Sequence, residues 1–109
     1  MLQHKHLASG AWNRLNLTEQ LANVGSEVER AISWKNKGNE EYSKKAFYRA
    51  LELLTLTKSS CKEKSKLKEV ARVYELLVDY FEGENQYRSS DKLWQKYFFP
   101  FNYYVRMYA

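Results

Sequence analysis

One cysteine, one proline, four glycines and two histidines among 109 residues close off several architectures at once. A lone Cys61 cannot form an internal disulfide, which excludes a disulfide-stapled scaffold. The scarcity of glycine and proline removes collagen-like, low-complexity and glycine-rich loop designs. Neither GxGxxG nor GxxxxGK[ST] occurs, so Gly25-Ser26 and Gly38-Asn39 are not phosphate loops. No uninterrupted apolar run approaches the roughly 18–20 residues that span a bilayer. The longest candidate, 98–105, is interrupted by Pro100 and Asn102. The opening Met1-Leu2-Gln3-His4-Lys5-His6 lacks the apolar core of a signal peptide. The expectation is a soluble, cytoplasmic protein without membrane association.

Hydrophobic residues make up 44% of the chain and aromatics 16%, so there is enough apolar side chain for one packed domain. Residues 1–16 show little periodicity and read as a short N-terminal tail, tied down in part by Leu7, Trp12 and Leu15; 17–109 read as a single helical-bundle domain. Leu17, Leu21, Val24, Val28 and Ile32 recur at three- and four-residue steps on one helical face, with Thr18 as N-cap. Gly25 lies beside that stripe, where a neighbouring helix would have to approach closely, since a helical glycine otherwise costs ~1 kcal/mol against alanine. Gly38-Asn39 punctuates the chain before a second helix, about 40–57, whose inner face is Tyr42, Ala46, Ala50, Leu53 and Leu54. Ser60 and Glu63 have capping-box spacing ahead of a third helix ending near Gly83. Its main face is Leu67, Val70, Ala71, Tyr74, Leu77, Val78 and Phe81. Ser89 or Ser90 caps a fourth, carrying Leu93, Tyr97, Phe101, Tyr104 and Tyr108, with a kink or break expected at Pro100. No segment alternates like a strand. The pattern predicts an all-α, antiparallel four-helix up-and-down bundle.

The helices carry more apolar surface than one stripe each. Val73, Leu76 and Tyr80 fall opposite the main face of helix three, and Trp94, Phe98 and Phe99 spread around helix four. Large side chains left in water forfeit ~1.5–3 kcal/mol each. The remedy is a partner, most commonly another copy. Val73, Leu76, Tyr80, Trp94, Phe98 and Phe99 are therefore the expected interface of a homo-oligomer, with a dimer favoured.

Polar residues point to structure more than to chemistry. His4 and His6 have no acidic or cysteine companions, and Cys61 has no histidine nearby in sequence. The Glu-x-x-His pairs of di-iron bundles are absent. No catalytic, cofactor-binding or metal-binding residue is assigned, no cofactor or small-molecule ligand is expected, and the chain does not read as an enzyme. Glu27, Arg30, Arg49, Glu52, Glu69, Arg72, Glu75 and Asp79 recur at i,i+3 or i,i+4 with mostly complementary signs, suited to an ion-pair network that fixes helix register. Residues 58–72 hold six Lys or Arg against two Glu, most of the chain's net charge of +5. Lys58, Lys62, Lys64, Lys66, Lys68 and Arg72 are thus the candidate contacts for a phosphate backbone.

Trp34, Gly38, Asn39, Phe47, Ala50 and Leu54 resemble part of a tetratricopeptide repeat. Lys37 stands where that repeat prefers Leu, Thr57 stands in place of its final Ala, and no second copy follows, so the match reflects helical-hairpin packing. The blocks Glu19-Gln20-Leu21-Ala22-Asn23-Val24-Gly25-Ser26-Glu27-Val28-Glu29-Arg30-Ala31, Arg49-Ala50-Leu51-Glu52-Leu53-Leu54 and Asp79-Tyr80-Phe81 resemble those of a group of small prokaryotic all-helical proteins with no assigned activity. The resemblance implies a fold and no reaction. A looser architectural similarity is to the HEPN bundles, some of which are RNases. Their Arg-x(4–6)-His pattern is not met here, because both histidines precede every arginine. The functional expectation is a self-associating helical protein that binds macromolecules, with a nucleic-acid-binding module as the alternative.

Overall fold

Asn16 begins the first helix two residues before the expected Thr18 cap. Its side chain accepts from the Glu19 N–H at 2.8 Å, and the Glu19 carboxylate accepts from the Asn16 N–H at 3.0 Å. This reciprocal box satisfies two of the amides that a helix start leaves unpaired. The computed structural model describes residues 10–108, which form α1 (Leu17–Asn36), α2 (Glu40–Ser60), α3 (Lys64–Phe81) and α4 (Asp91–Tyr108), with no strand among the described residues. Gly38, at φ +80°, ends the first hairpin turn, and Asn39 caps α2 by accepting from Tyr42 N–H at 3.0 Å.

The expected Ser60–Glu63 box does not form. The α2 helix runs three residues past Thr57, so the Ser60 hydroxyl donates to the Thr57 carbonyl at 3.0 Å, and Glu63 occupies the N-cap of α3 without a side-chain bond. Gly83 closes α3 through its N–H to the Val78 carbonyl at 3.0 Å. Ser90 caps α4 as expected, accepting from Leu93 N–H at 3.1 Å. That helix is not broken near Tyr97–Phe99: it continues through Pro100 to Tyr108. Pro100, which cannot donate to the Lys96 carbonyl, and Lys96 itself are both exposed residues.

Contacts between neighbouring helices run in opposite order along the chain. Ser43 Oγ reaches the Ala31 carbonyl, Arg49 reaches Glu27, and Gln20 reaches Ser60, which pairs α1 with α2. Tyr48 meets Glu82 and Lys58 lies over Tyr74, which pairs α2 with α3. Lys35 meets Asp91 and Gly25 meets Phe98, which pairs α1 with α4. Neighbouring helices therefore run up and down. The close approach read from Gly25 is the α1–α4 crossing: a Cβ built there would lie 2.9 Å from Phe98 Cβ and from its ring.

The core gathers Leu21, Val24, Val28 and Ile32 from α1, Ala46, Phe47, Ala50, Leu53 and Leu54 from α2, Val70, Val73 and Leu77 from α3, and Trp94 and Phe98 from α4. It also takes in Trp12, 1% exposed, from a single 3-10 turn at Trp12–Arg14. Trp12 thus ties residues 10–16 to the packed domain, as expected, while Leu7 lies outside the described residues. His4 and His6 lie outside the described residues. Two expected core faces are corrected. Tyr42 is exposed and meets the edge of Trp34 at 4.9 Å. On α4 the buried edge is Trp94 and Phe98, whereas Leu93, Tyr104 and Tyr108 point outward.

Candidate interaction surface

An α-helix with apolar residues on all sides must be covered on all sides or leave some of them wet. The C-terminal half of α4 is such a helix, and α1 covers only one edge of it. Phe99, Tyr103, Tyr104, Met107 and Tyr108, together with Leu93 one turn from the helix start, are 42–72% exposed. Phe99 and Tyr103 stack at 5.9 Å between ring centroids, and Tyr104 and Tyr108 at 5.2 Å. The outer surface of α4 is therefore a run of rings interleaved with Lys92 and Lys96, with no carboxylate after Asp91.

This is not the surface expected from the helical wheels. Val73, Trp94 and Phe98 are buried within the single chain, so they cannot serve as a free interface. Tyr80 is half-buried in a polar cluster. Leu76 is half-buried on the wall of a groove between α3 and α4, and Phe99 alone of the six is exposed. That groove, about 270 Å³, is lined by Val73, Leu76, Leu93, Trp94 and Tyr97, with Glu69, Arg72 and Ser89 at the rim. The indole N–H of Trp94 is buried with no acceptor among the described residues. Tyr97 bridges the groove by donating to Glu69 at 2.8 Å, and burial together with that carboxylate pushes its phenol well above the ordinary value.

The anticipated ion-pair network is built around Glu27. Glu27 is buried, and its two oxygens accept from Arg30 Nη1 at 2.6 Å and from Arg49 Nε at 2.9 Å. Arg49 thus ties α2 to α1. Glu52 is half-buried on α2. Glu69 is engaged by Tyr97, and the Asp79 carboxylate accepts from the N–H groups of Gln86 and Tyr87 at 2.8 and 3.1 Å, fixing the loop before α4. Arg72 and Glu75 are exposed and make no ion pair among the described residues.

A second polar cluster was not anticipated, because its members are 11 to 56 residues apart. Lys35 Nζ lies 2.6 Å from Asp91 Oδ1 and 2.9 Å from the Tyr80 hydroxyl, which also donates to Asp91. Asn36 donates to the other Asp91 oxygen at 3.1 Å. The ends of α1 and α3 are thereby latched to the start of α4. Burial raises the Asp91 carboxyl, but the donors outweigh it and hold it below the ordinary carboxylate value. A carboxyl depressed in the folded state stabilises fully above its unfolded value, about pH 4, and the contribution fades as pH falls through the folded value. Asp91→Asn is expected to cost ~1–2 kcal/mol at pH 7 and to flatten the acid-side decline below about pH 4. Urea unfolding at neutral and acid pH measures both effects, and an unchanged acid slope would contradict this account.

Lys58, Lys62, Lys64, Lys66, Lys68 and Arg72 are all exposed, from the end of α2 to the middle of α3. Lys66 pairs loosely with Glu63 at 3.5 Å, and Lys58 lies 5.4 Å from the centre of the Tyr74 ring. Two larger clefts are open: one of about 580 Å³ between α1 and α4, and one of about 480 Å³ beside the half-buried Cys61. Among the described residues, no group of three or more His, Cys, Asp or Glu is disposed to hold a metal ion. No helix of the described residues is long and apolar enough to cross a membrane. Comparison of the chain with protein-family models, curated proteins and solved structures finds no match.

Proposed function

We propose that the protein is a non-enzymatic helical interaction module that associates with itself through the outer face of α4. The observation that carries this reading is the amount of apolar surface on that face. Six large side chains, Leu93, Phe99, Tyr103, Tyr104, Met107 and Tyr108, remain 42–72% exposed. At roughly 150–250 Å² per large side chain, they leave on the order of 600 Å² in solvent along one helix. Spread around half the circumference of α4, that total matches the upper figure for a single patch on an ordinary monomer, about 300–600 Å². It also approaches the ~800 Å² per partner of a standard interface. A second copy is the occupant that brings a patch of the same size and character.

Light scattering after gel filtration tests this reading. At tens of micromolar the chain is expected to run at twice its mass of 13.0 kDa. Tyr104→Glu with Met107→Glu is expected to return it to a single chain with unchanged helix content. Both positions are too exposed to matter for the core. A wild-type particle that stays at one chain mass up to that concentration would overturn the proposal.

The exposed basic side chains favour a second reading, a nucleic-acid-binding module. Lys62, Lys64, Lys68 and Arg72 make no ion pair among the described residues, which leaves their charge available to phosphates. Under this reading Lys64→Glu with Lys68→Glu weakens binding to a labelled duplex and shallows its salt dependence. Indifference to those changes would refute it.

A further inference from the structure

We propose that two copies meet α4 against α4 in opposite directions, about a two-fold axis at Pro100. This rests on the self-association reading and adds the geometry of the contact. Leu93, Tyr97, Pro100, Tyr104 and Met107 follow one another at steps of four, three, four and three, the spacing of a helix seam. Read from either end, the seam has nearly the same shape around Pro100, as a closed two-fold interface requires. Opposite directions place Leu93 across from the partner's Met107, and Tyr97 across from the partner's Tyr104.

Two features select this direction over the parallel one. The groove of about 270 Å³ opens beside Leu93 and Tyr97 at one end of the seam, and Met107, 58% exposed, stands at the other. Opposite packing carries each Met107 to the mouth of the other chain's groove, where a flexible thioether fills an irregular apolar space well. Parallel packing leaves both grooves facing each other and both Met107 side chains beyond them. Charge gives the same answer. The lysines on the outside of α4, Lys92 and Lys96, lie in its first half, and Tyr103, Tyr104 and Tyr108 in its second. Opposite packing sets the Lys96 ammonium beside the partner's Tyr103 ring on the same flank of the seam, whereas parallel packing turns that flank towards the partner's Phe101 side.

Cysteine cross-linking in a Cys61→Ser background tests the arrangement. Leu93 and Met107 are fourteen residues apart, about 21 Å along a helix, so no disulfide can join them within one chain. Leu93→Cys with Met107→Cys is expected to give a covalent dimer under mild oxidation, while Leu93→Cys alone does not. A dimer by light scattering that fails to cross-link through the pair, or that cross-links through Leu93→Cys alone, overturns the geometry and spares the self-association reading. A chain that is monomeric, or that pellets as a monomer with vesicles of mixed neutral and anionic phospholipid, overturns both.

Discussion

Trp12→Ala is expected to lower stability by about 3–5 kcal/mol, the largest loss from any single truncation outside the four helices. The indole is 1% exposed, and its N–H donates to Thr57 Oγ1 at 3.2 Å on the buried side of α2. Its carbonyl accepts from Gln20 Nε2 at 3.0 Å, and Gln20 is itself buried on α1. The short turn at Trp12–Arg14 thus plugs the end of the α1–α2 pair with one large side chain and satisfies two buried polar groups. Removing the ring leaves a cavity and takes away the donor to Thr57, while the backbone carbonyl still accepts from Gln20. Trp12→Phe separates these contributions: it keeps most of the apolar volume and loses one bond to Thr57, so about 1–2 kcal/mol is expected. Thr57 limits that loss, because its hydroxyl still donates to the Leu53 carbonyl at 2.9 Å. Urea unfolding at one low protein concentration, where association does not add to stability, gives both values. A loss below about 1 kcal/mol for Trp12→Ala would mean that the turn is not part of the cooperative domain.

The same residue shows where the sequence was legible and where it was not. Helix positions, the Gly38-Asn39 junction, the stop near Gly83 and the Ser90 cap follow from local chemistry, and local chemistry is written in order along the chain. The α1 stripe at Leu21, Val24, Val28 and Ile32 is legible because the opposite face of that helix is polar, leaving one choice of inside. Trp12 stands out as an anchor by its bulk, but it has no periodic neighbours to show where it docks; its partners lie 8 and 45 residues away.

On α4 the difficulty is the reverse. Apolar residues surround the helix, so periodicity offers several inner faces and cannot rank them. The choice is made by Gly25, whose missing side chain lets Phe98 sit against α1. That approach turns Trp94 and Phe98 inward and Leu93 and Tyr104 outward. Exposed apolar side chains gather on the outside of α4 rather than at Val73, Trp94 and Phe98, because their location depends on which helix packs against which. Asp91 is a similar case. As a residue in the first turn it looks like a partner for the helix dipole, and its role in holding Lys35 and Tyr80 appears only in three dimensions.

Arg49→Met is expected to destabilise the fold by about 2–3 kcal/mol, whereas Arg49→Met combined with Glu27→Leu recovers most of the loss. The argument turns on which group is left buried. The Glu27 side chain is 8% exposed, and of its two guanidinium donors Arg30 is 60% exposed while Arg49 is 30% exposed. Arg30 sits three residues away on the same helix, a geometry worth only a few tenths of a kcal/mol in solvent. Arg49 is the donor that crosses from α2 and shares the desolvated site. Its removal takes from a buried carboxylate the one guanidinium that crosses from α2, and weakening the pairing of a buried charge is the expensive outcome. Removing the carboxylate as well replaces an ion pair by apolar packing of similar volume, which is often neutral. Thermal unfolding of the two single variants and the double variant gives the coupling energy. A double variant no more stable than Arg49→Met alone would show that the guanidinium's packing against α1, rather than its charge, holds this junction together.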